Sequence, residues 1–268
     1  AKEKGLNIVN EFLTLKSAKE ISLSEGKADL IIGNNVYAHV PDIKDFTYAL
    51  KVLIKENGII SLEFPHLMSL ISGKQFDTIY HEHFSYLSFT TVVNIFKDAG
   101  LRIFNVQELD THGGSLRIFG CLKDSIHKEN ISVKRMLDKE LIFGITNIKT
   151  YDSFQEQAEL IKDNLLELLI KLKKENKIVM AYGAAAKGNT LLNFAGIKSD
   201  LIRFVFDNAR SKQNKYLPGS HIKILNPSEI KRRNPDYLLI LPWNISNEII
   251  ESLCEFKKNG MKFITVVP

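Results

Sequence analysis

The amino-acid sequence predicts an α/β protein made of two successive blocks, each a mostly parallel sheet with helices on both faces. Short apolar runs alternate with longer stretches of helical periodicity, glycines follow several of those stretches, and a long helical region separates the blocks. The chain has 268 residues, of which 44% are hydrophobic and 25% charged, as in ordinary globular proteins.

The first block is predicted to contain four strands and two helices. The strands are expected at residues 28–33, 59–63, 101–106 and 115–121, and the helices at residues 42–57 and 90–99. Gly58 and Gly100 follow the two helices, where glycine commonly ends a helix. We expect the last two strands to be antiparallel and to form an edge of the sheet.

The second block follows a helical connector. Residues 130–176 have helical periodicity, and strands are then expected at residues 178–182, 202–207, 237–241 and 262–267. One helix is expected after the turn at residues 183–190, and another at residues 247–259. The pattern predicts a smaller doubly wound unit.

Charge and cysteine content exclude several classes of protein. The net charge is +5, and the densest basic cluster, Lys231-Arg232-Arg233, is typical of a solvated helix end. No nucleic-acid-binding motif is present, so we expect an anionic small substrate and no nucleic-acid partner. Only Cys121 and Cys254 occur, with no CxxC spacing, and no apolar run is long enough for a membrane span. We therefore expect a cytoplasmic protein with no membrane partner.

The segment at residues 76–86 is the strongest candidate for chemistry. It holds two imidazoles, two carboxylates and two phenols, and it follows the apolar strand that ends near Glu63. Ligands in open α/β sheets lie beyond the carboxyl ends of the strands. The Tyr80-His81-Glu82-His83 run suits proton transfer better than metal binding, because adjacent side chains on a helix or strand point apart. We therefore expect no metal here.

Three other motifs have both a structural and a functional interpretation. Residues 33–42 close the first strand, and there Asp42 is expected either to cap a helix or to lie near a ligand. Residues 112–114 form either a simple turn or a binding loop. Residues 183–190 resemble a phosphate-binding turn that opens a helix, with Lys187 adding a positive charge, although neither the P-loop nor the GxGxxG order is present.

Taken together, these motifs resemble the S-adenosylmethionine-dependent sugar C-methyltransferases, which methylate a carbon of a nucleotide-linked keto-deoxysugar. The matching segments are NNVYAHVPD (34–42), FDTIYHEHFSYLS (76–88), THGGSLR (111–117), YGAAAKGNTLLNF (182–194), FDNARSKQNKYLPGSHI (206–222) and PWN (242–244). The resemblance implies a partial class I methyltransferase Rossmann-like domain followed by a second, smaller Rossmann-like domain. The implied boundaries are residues 1–125, a connector at 126–176, and residues 177–268.

The resemblance also assigns roles to residues. His83 is the expected general base, surrounded by Glu82, Tyr80 and His39, and it removes a proton next to a 4-keto group to give an enolate. The expected cofactor contacts are Asn34, Asn35 and Val36. The expected contacts to a nucleotide-diphospho keto-sugar are His81, His112, Arg117, Gly183, Ala185, Lys187, Asn189, Asp207, Lys212, Trp243 and Asn244.

Whole members of that family begin with a zinc-binding domain and the first half of the methyltransferase domain. Those parts are missing from this sequence, including the Gly-rich loop and the acidic residue that bind S-adenosylmethionine. Residues 1–5 resemble the end of a helix with its glycine stop. We therefore expect a truncated member with an incomplete cofactor site, and zinc only in the missing domain.

Two other functions remain open from the sequence. A nicotinamide-dependent oxidoreductase would use the second block as its dinucleotide site. A fragment that binds a nucleotide sugar without catalysis is the other alternative.

Overall fold

The computed structural model describes residues 5–267, so the helix end expected at residues 1–5 lies largely outside the described residues. The described chain forms two compact units. The first contains the residues up to Met68 together with residues 82–147, and the second contains residues 69–81 and those from Ile148 onward. Residues 69–81 therefore leave the first unit and belong to the second.

The first unit holds one mixed sheet and four helices that belong to it entirely, counted over the described residues. Its helices are α1 (Leu15–Ser24), α2 (Ile43–Leu53), α4 (Phe89–Asp98) and α5 (Ile131–Phe143), and its strands are β1 (Ala28–Asn34), β2 (Ile54–Pro65), β3 (Leu101–Leu109) and β4 (Ser115–Leu122). The short helix α3 (Leu67–Ser72) begins where the chain leaves this unit.

The strand order in the first unit is β1-β2-β4-β3. Strand β2 runs parallel to β1 and antiparallel to β4, and β3 is antiparallel to β4. The expected antiparallel pair is confirmed, with β3 at the edge and β4 inside the sheet. The prediction of a mostly parallel sheet is wrong for this unit, because β4 also pairs antiparallel with β2 and only β1–β2 is parallel. Large apolar side chains such as Phe64, Phe96 and Ile118 are fully buried between the sheet and its helices.

The second unit is built on a parallel sheet of five strands. Its helices are α6 (Phe154–Lys174), α7 (Ala186–Phe194), α8 (Ile230–Arg233), α9 (Ser246–Ser252) and α10 (Cys254–Lys258), and its strands are β5 (Val179–Tyr182), β6 (Phe204–Phe206), β7 (Lys223–Leu225), β8 (Tyr237–Ile240) and β9 (Lys262–Ile264). The strand order is β7-β6-β5-β8-β9, all parallel. Numbered within the unit, this order is 3-2-1-4-5, which is the Rossmann order. The α/β class with two Rossmann-like units is confirmed.

Two predicted helices differ from those in the structure. The helix expected at residues 42–57 ends at Leu53, because Ile54 is fully buried and already pairs with Ala28 as part of β2. The helix expected at residues 247–259 is broken at Leu253, whose backbone is not helical and whose side chain packs into the core. Strand β7, Lys223–Leu225, was not predicted.

The connector expected at residues 126–176 is divided between the two units. Helix α5 lies in the first, where Val133 and Met136 join the core of the mixed sheet. Helix α6 lies in the second, where Leu165 and Leu169 pack on the core that contains β5.

Candidate functional site

The turn after β1 is bound to residues 82–86 by three hydrogen bonds. The backbone amides of Phe84 and Ser85 both donate to the carbonyl oxygen of Ala38, at 2.9 and 3.2 Å. His39 Nδ1 donates to the carbonyl oxygen of Glu82 at 2.8 Å. Two segments that lie more than forty residues apart in the sequence are therefore held together within the first unit. We call this three-bond connection the strap.

The strap determines which ring nitrogen of His39 carries the proton when the ring is neutral. A carbonyl oxygen can only accept, so the proton of a neutral His39 ring must be on Nδ1. Nε2 then has a lone pair and can accept a hydrogen bond or a proton. Asp42, three residues later, caps α2 by accepting from the amide of Asp45 at 2.9 Å, which agrees with the structural interpretation of that residue.

Ring contacts align His83 with its neighbours. Its imidazole lies 4.7 Å from that of His39, centroid to centroid, and 6.0 Å from the Tyr86 ring in an edge-on arrangement. Glu82, which precedes His83, is exposed. The first unit therefore gathers two imidazoles, a carboxylate and a phenol around the strap.

A buried carboxylate lies at the end of β2. Glu63 is only 4% exposed; Arg117 Nη2 donates to its Oε2 at 2.7 Å and Thr111 Oγ1 to its Oε1 at 3.0 Å. Its backbone carbonyl accepts from the amide of Asn35 at 2.8 Å. Glu63 thus joins the turn after β1 to the turn before β4.

Those same two turns also meet through side chains. Asn35 Nδ2 donates to His112 Nε2 at 3.1 Å, and both residues have left-handed backbones, with φ of 55° and 57°. Such conformations are uncommon outside glycine and concentrate at functional sites. Asn34 and Val36, on either side of Asn35, are both exposed.

Tyr80 and His81 lie at the end of the part assigned to the second unit. In that unit the neighbouring Asp77 is fully buried, and its Oδ2 accepts from Trp243 Nε1 at 2.7 Å. Its Oδ1 has no hydrogen-bond partner among residues 5–267. Burial raises the pKa of Asp77, although the Trp243 hydrogen bond and the Lys187 charge oppose the rise.

Lys187 is built into this buried cluster. Its Nζ lies 4.4 Å from the centroid of the Trp243 ring and donates to Asn244 Oδ1 at 3.0 Å. Burial lowers the pKa of Lys187, and the charge of Asp77 opposes the fall. Three residues expected to contact substrate, Lys187, Trp243 and Asn244, are thus brought together.

The turn between β5 and α7 is shaped by close packing and by Asp207. Gly183 has a φ of 93°, and a Cβ there would lie 2.4 Å from Pro242 Cδ, so only glycine fits. Asp207 accepts from the amides of Ala184 and Ala209, both at 2.7 Å. Lys212 Nζ donates to the carbonyl oxygen of Ala184 at 2.8 Å.

Ala185 is the first residue flanking α7, and no side chain caps the start of that helix. Asn189 lies one turn further on, and its amide oxygen is buried without a hydrogen-bond partner among the described residues. The expected residues of the second unit therefore fall into two groups, one around the turn at 183–189 and the other around Trp243.

Sequence reasoning assigned no role to several residues that organise the two units: Glu63, His66, Glu140 and Tyr182. A charged residue at the end of a buried apolar strand was a usable signal for Glu63. Glu140 lies far in sequence from its partners, so no local pattern marks it. Asp77 lies in the predicted segment at residues 76–86, but its remote contact with Trp243 has no sequence signal. Within residues 5–267, no three His, Cys, Asp or Glu side chains are grouped so as to hold a metal ion. None of the described helices is long and apolar enough to cross a membrane.

Residues 110–268 match the family model of the C-methyltransferase C-terminal domain. The whole chain is 36% identical to the C-methyltransferase NovU of Streptomyces niveus and covers 64% of that protein's length.

Two solved structures are more distant. An S-adenosylmethionine-dependent methyltransferase from Listeria monocytogenes is 12% identical, over 37% of this chain and 62% of the other, with a TM-score of 0.30. An O-methyltransferase family protein from Burkholderia thailandensis is 14% identical, over 44% of this chain and 36% of the other, with a TM-score of 0.32. Likenesses this weak do not bear on function.

Proposed function

Because this chain belongs to the C-methyltransferase family, we propose that it serves S-adenosylmethionine-dependent methylation of a carbon in a nucleotide-linked 4-keto-deoxysugar. The family match extends over more than half of the chain, and the relative is a C-methyltransferase that is longer than this chain. The sugar substrate, the cytoplasmic location and the three domains at residues 1–125, 126–176 and 177–268 are parts of the same proposal.

The observation that supports this proposal best is the strap. It brings His39 into ring contact with His83, at 4.7 Å, in the first unit. A carbon acid needs a base that is competent near neutral pH, and imidazole is the side chain best suited to that task.

We assign His83 as the base that takes the proton from the carbon next to the ketone. The electron pair of that C–H bond forms a double bond to the carbonyl carbon, and the π electrons of the ketone move to its oxygen to give an enolate. That oxygen then requires hydrogen-bond donors. Tyr80 and Glu82 precede the base in sequence, and of these two only the Tyr80 hydroxyl is a donor. His39, beside the base, has a lone pair on Nε2 when neutral, so it donates to the enolate oxygen only after Nε2 is protonated. S-adenosylmethionine, when bound, supplies an electrophilic methyl group that the enolate carbon accepts.

The residues after β1 fit part of that cofactor. Asn34 offers an exposed amide, Val36 an apolar side chain that is 41% exposed, and Asn35 a left-handed backbone at the end of the strand. Amides and small apolar surfaces at a strand's carboxyl end are what a nucleoside-containing cofactor uses. Arg117 and His112 lie in the adjoining turn and belong to the proposed substrate contacts.

The second unit is proposed to hold the nucleotide diphosphate. The start of α7 has no side-chain cap, the positive end of the helix dipole favours an anion there, and Lys212 contacts the same turn. One turn along the helix, the amide oxygen of Asn189 is buried without a hydrogen-bond partner among the described residues, and as an acceptor it suits a hydroxyl group of the ligand. The other proposed contacts are Gly183, Ala185, Lys187, Asp207, Trp243, Asn244 and His81.

The test is a solvent-exchange measurement on a full-length protein. We expect the wild type to exchange the proton next to the ketone of a nucleotide-linked 4-keto-deoxysugar with deuterated solvent. His83→Asn should slow that exchange and methyl transfer by about 10²–10⁴-fold, the usual contribution of a general base. If His83→Asn exchanges the proton at the normal rate and Tyr80→Phe or His81→Asn does not, the base is a different residue of this segment. Normal exchange in all three would reject the proton-transfer site.

The Rossmann strand order gives one reason to consider a nicotinamide-dependent oxidoreductase. Asp207 follows the second strand, where such enzymes place the acid that binds ribose. Both of its oxygens, however, already accept backbone amides at 2.7 Å. We therefore expect no change in NADH fluorescence on titration with the protein. If the protein only binds a nucleotide sugar without catalysis, the full-length protein should bind that sugar and show no methyl transfer.

A further inference from the structure

A cavity of about 320 Å³ opens beside the carboxyl ends of β5 and β6 in the second unit. One wall is apolar and comes from Pro242, Ile245 and Ile249, near the start of α9 and along it. Tyr182, the last residue of β5, and Asn208, two residues after β6, also line it. The cavity is therefore a crevice between the sheet and one helix of the same unit.

Its position is the one that the topology favours for a ligand. The chain order reverses between β5 and β8, so the loops after these two strands diverge and leave a crevice. The turn after β5 contributes Gly183 and Ala185, and the loop after β8 contributes Pro242. Because Ala185 also flanks the start of α7, this cavity adjoins the proposed phosphate turn.

The charges around the cavity exclude a phosphate from its interior. Its described lining contains two carboxylates, Asp207 and Glu248, and no lysine or arginine. Asp207 is partly neutralised by two backbone amides and by Lys212 Nζ at 3.7 Å, whereas Glu248 is exposed. A diphosphate placed beside an uncompensated carboxylate would be repelled.

The polar groups instead match a neutral heterocycle and its sugar. Asn208 Nδ2 donates to the Tyr182 hydroxyl oxygen at 2.9 Å, so the phenolic hydrogen remains available for a carbonyl. Burial raises the pKa of Tyr182, which keeps that donor protonated. Glu248 offers an acceptor for a ring N–H or a hydroxyl group. A flat base would lie against Ile245 and Ile249.

We propose that this cavity is the nucleoside subsite of the second unit, holding the base and its pentose while the diphosphate lies outside it at the start of α7. This inference rests on the proposed nucleotide-linked substrate and specifies how that substrate is oriented. It also assigns Tyr182, Ile245 and Glu248 to ligand binding.

The test is calorimetric titration of the whole chain with thymidine, uridine or adenosine, with their 5′-diphosphates, and with inorganic pyrophosphate. Glu248→Gln should weaken binding of the preferred nucleoside and of its diphosphate by about tenfold, because a neutral amide oxygen accepts less strongly than the carboxylate it replaces. Glu251→Gln, an exposed acid on the same helix outside the cavity, is the matched control and should change nothing. Ile245→Arg should block nucleoside binding and leave pyrophosphate binding intact.

Tighter pyrophosphate binding in Glu248→Gln with no loss of nucleoside affinity would show that the cavity takes phosphate and would overturn the proposal. Unchanged nucleoside affinity in both variants would also overturn it. These outcomes are independent of catalysis. A wild type that binds the nucleoside but never methylates a keto-sugar would reject the proposed function and leave the subsite standing.

Discussion

Glu140 Oε1 accepts a hydrogen bond from His66 Nε2 at 2.6 Å, and the two side chains are 0% and 1% exposed. The same carboxylate accepts from the backbone amides of Phe89 and Thr90, at 2.6 and 2.7 Å, and from the Thr90 hydroxyl at 2.6 Å. His66 precedes residues 67–88 and Phe89 follows them. One buried carboxylate therefore joins both ends of the segment that contains Glu82 and His83.

Removing this carboxylate should destabilise the first unit. Glu140→Ala leaves His66 and two buried amides without an acceptor, so we expect the free energy of unfolding to fall by roughly 3–5 kcal/mol. Urea unfolding measures the change. Lys139→Ala is the control on the same helix, because it removes only an exposed ion pair with Glu108 and should cost less than about 1 kcal/mol. Equal effects of the two substitutions would contradict the structural importance of Glu140.

The same group predicts a pH dependence. Burial alone would raise the pKa of Glu140, but the hydrogen bonds from His66, Thr90 and the Phe89 amide outweigh it and lower the pKa. A lowered folded-state pKa means that its stabilisation is complete above the ordinary value of 4.5 and is lost as the pH falls below that value. Urea titrations from pH 7 to pH 3 should show this loss in the wild type and a smaller one in Glu140→Gln.

His39 is predicted to act through both ring nitrogens. His39→Ala removes the strap donor and Nε2, whereas His39→Asn keeps an N–H donor near the Nδ1 position. We expect turnover of a full-length protein to fall in both variants, by about 10²-fold or more in His39→Ala. Thermal stability should fall only in His39→Ala. If His39→Asn keeps the wild-type turnover, Nε2 has no part in catalysis and His39 only positions Glu82.

The Glu63–Arg117 pair should behave as a coupled unit. The Glu63 carboxylate is 5% exposed and the Arg117 guanidinium 35%. Solvent therefore reaches the guanidinium and partly screens the attraction between the two charges. A double-mutant cycle with Glu63→Gln and Arg117→Met should give a coupling energy of about 1 kcal/mol in unfolding measurements. Arg117→Met should also raise the KM for the nucleotide sugar more than Glu63→Gln does. A coupling energy near zero would show that the contact is incidental.

Trp243→Phe should show what it costs to bury the Asp77 carboxylate without a hydrogen-bond donor. The substitution keeps an aromatic ring near Lys187 but removes the Nε1 donor, which leaves both carboxylate oxygens unpaired and should cost roughly 1–3 kcal/mol. Because the pKa of Asp77 is raised, its charge opposes folding more as the pH rises. The deficit should thus grow as the pH rises above 3.8, the ordinary pKa of an aspartate. Asp77→Asn, which can still accept from Trp243, should abolish that dependence on pH.

Local sequence determined the α/β class, the order of most elements and the segments where chemistry was expected. Periodicity of apolar residues and glycine at helix ends are short-range signals, and strands such as β1 and β4 and helix α4 follow them closely. The titratable segment at residues 76–86 was visible because so many polar groups rarely share a core position.

Tertiary structure alone decided where those elements end and which residues act together. Ile54 joined a strand because its partner Ala28 and its burial outweighed the helical pattern of its neighbours. The contacts of Glu140 with His66 and of His39 with Glu82 span 74 and 43 residues. Such contacts depend on how the sheet brings distant turns to one edge. Local sequence patterns extend over a few residues and cannot predict that arrangement.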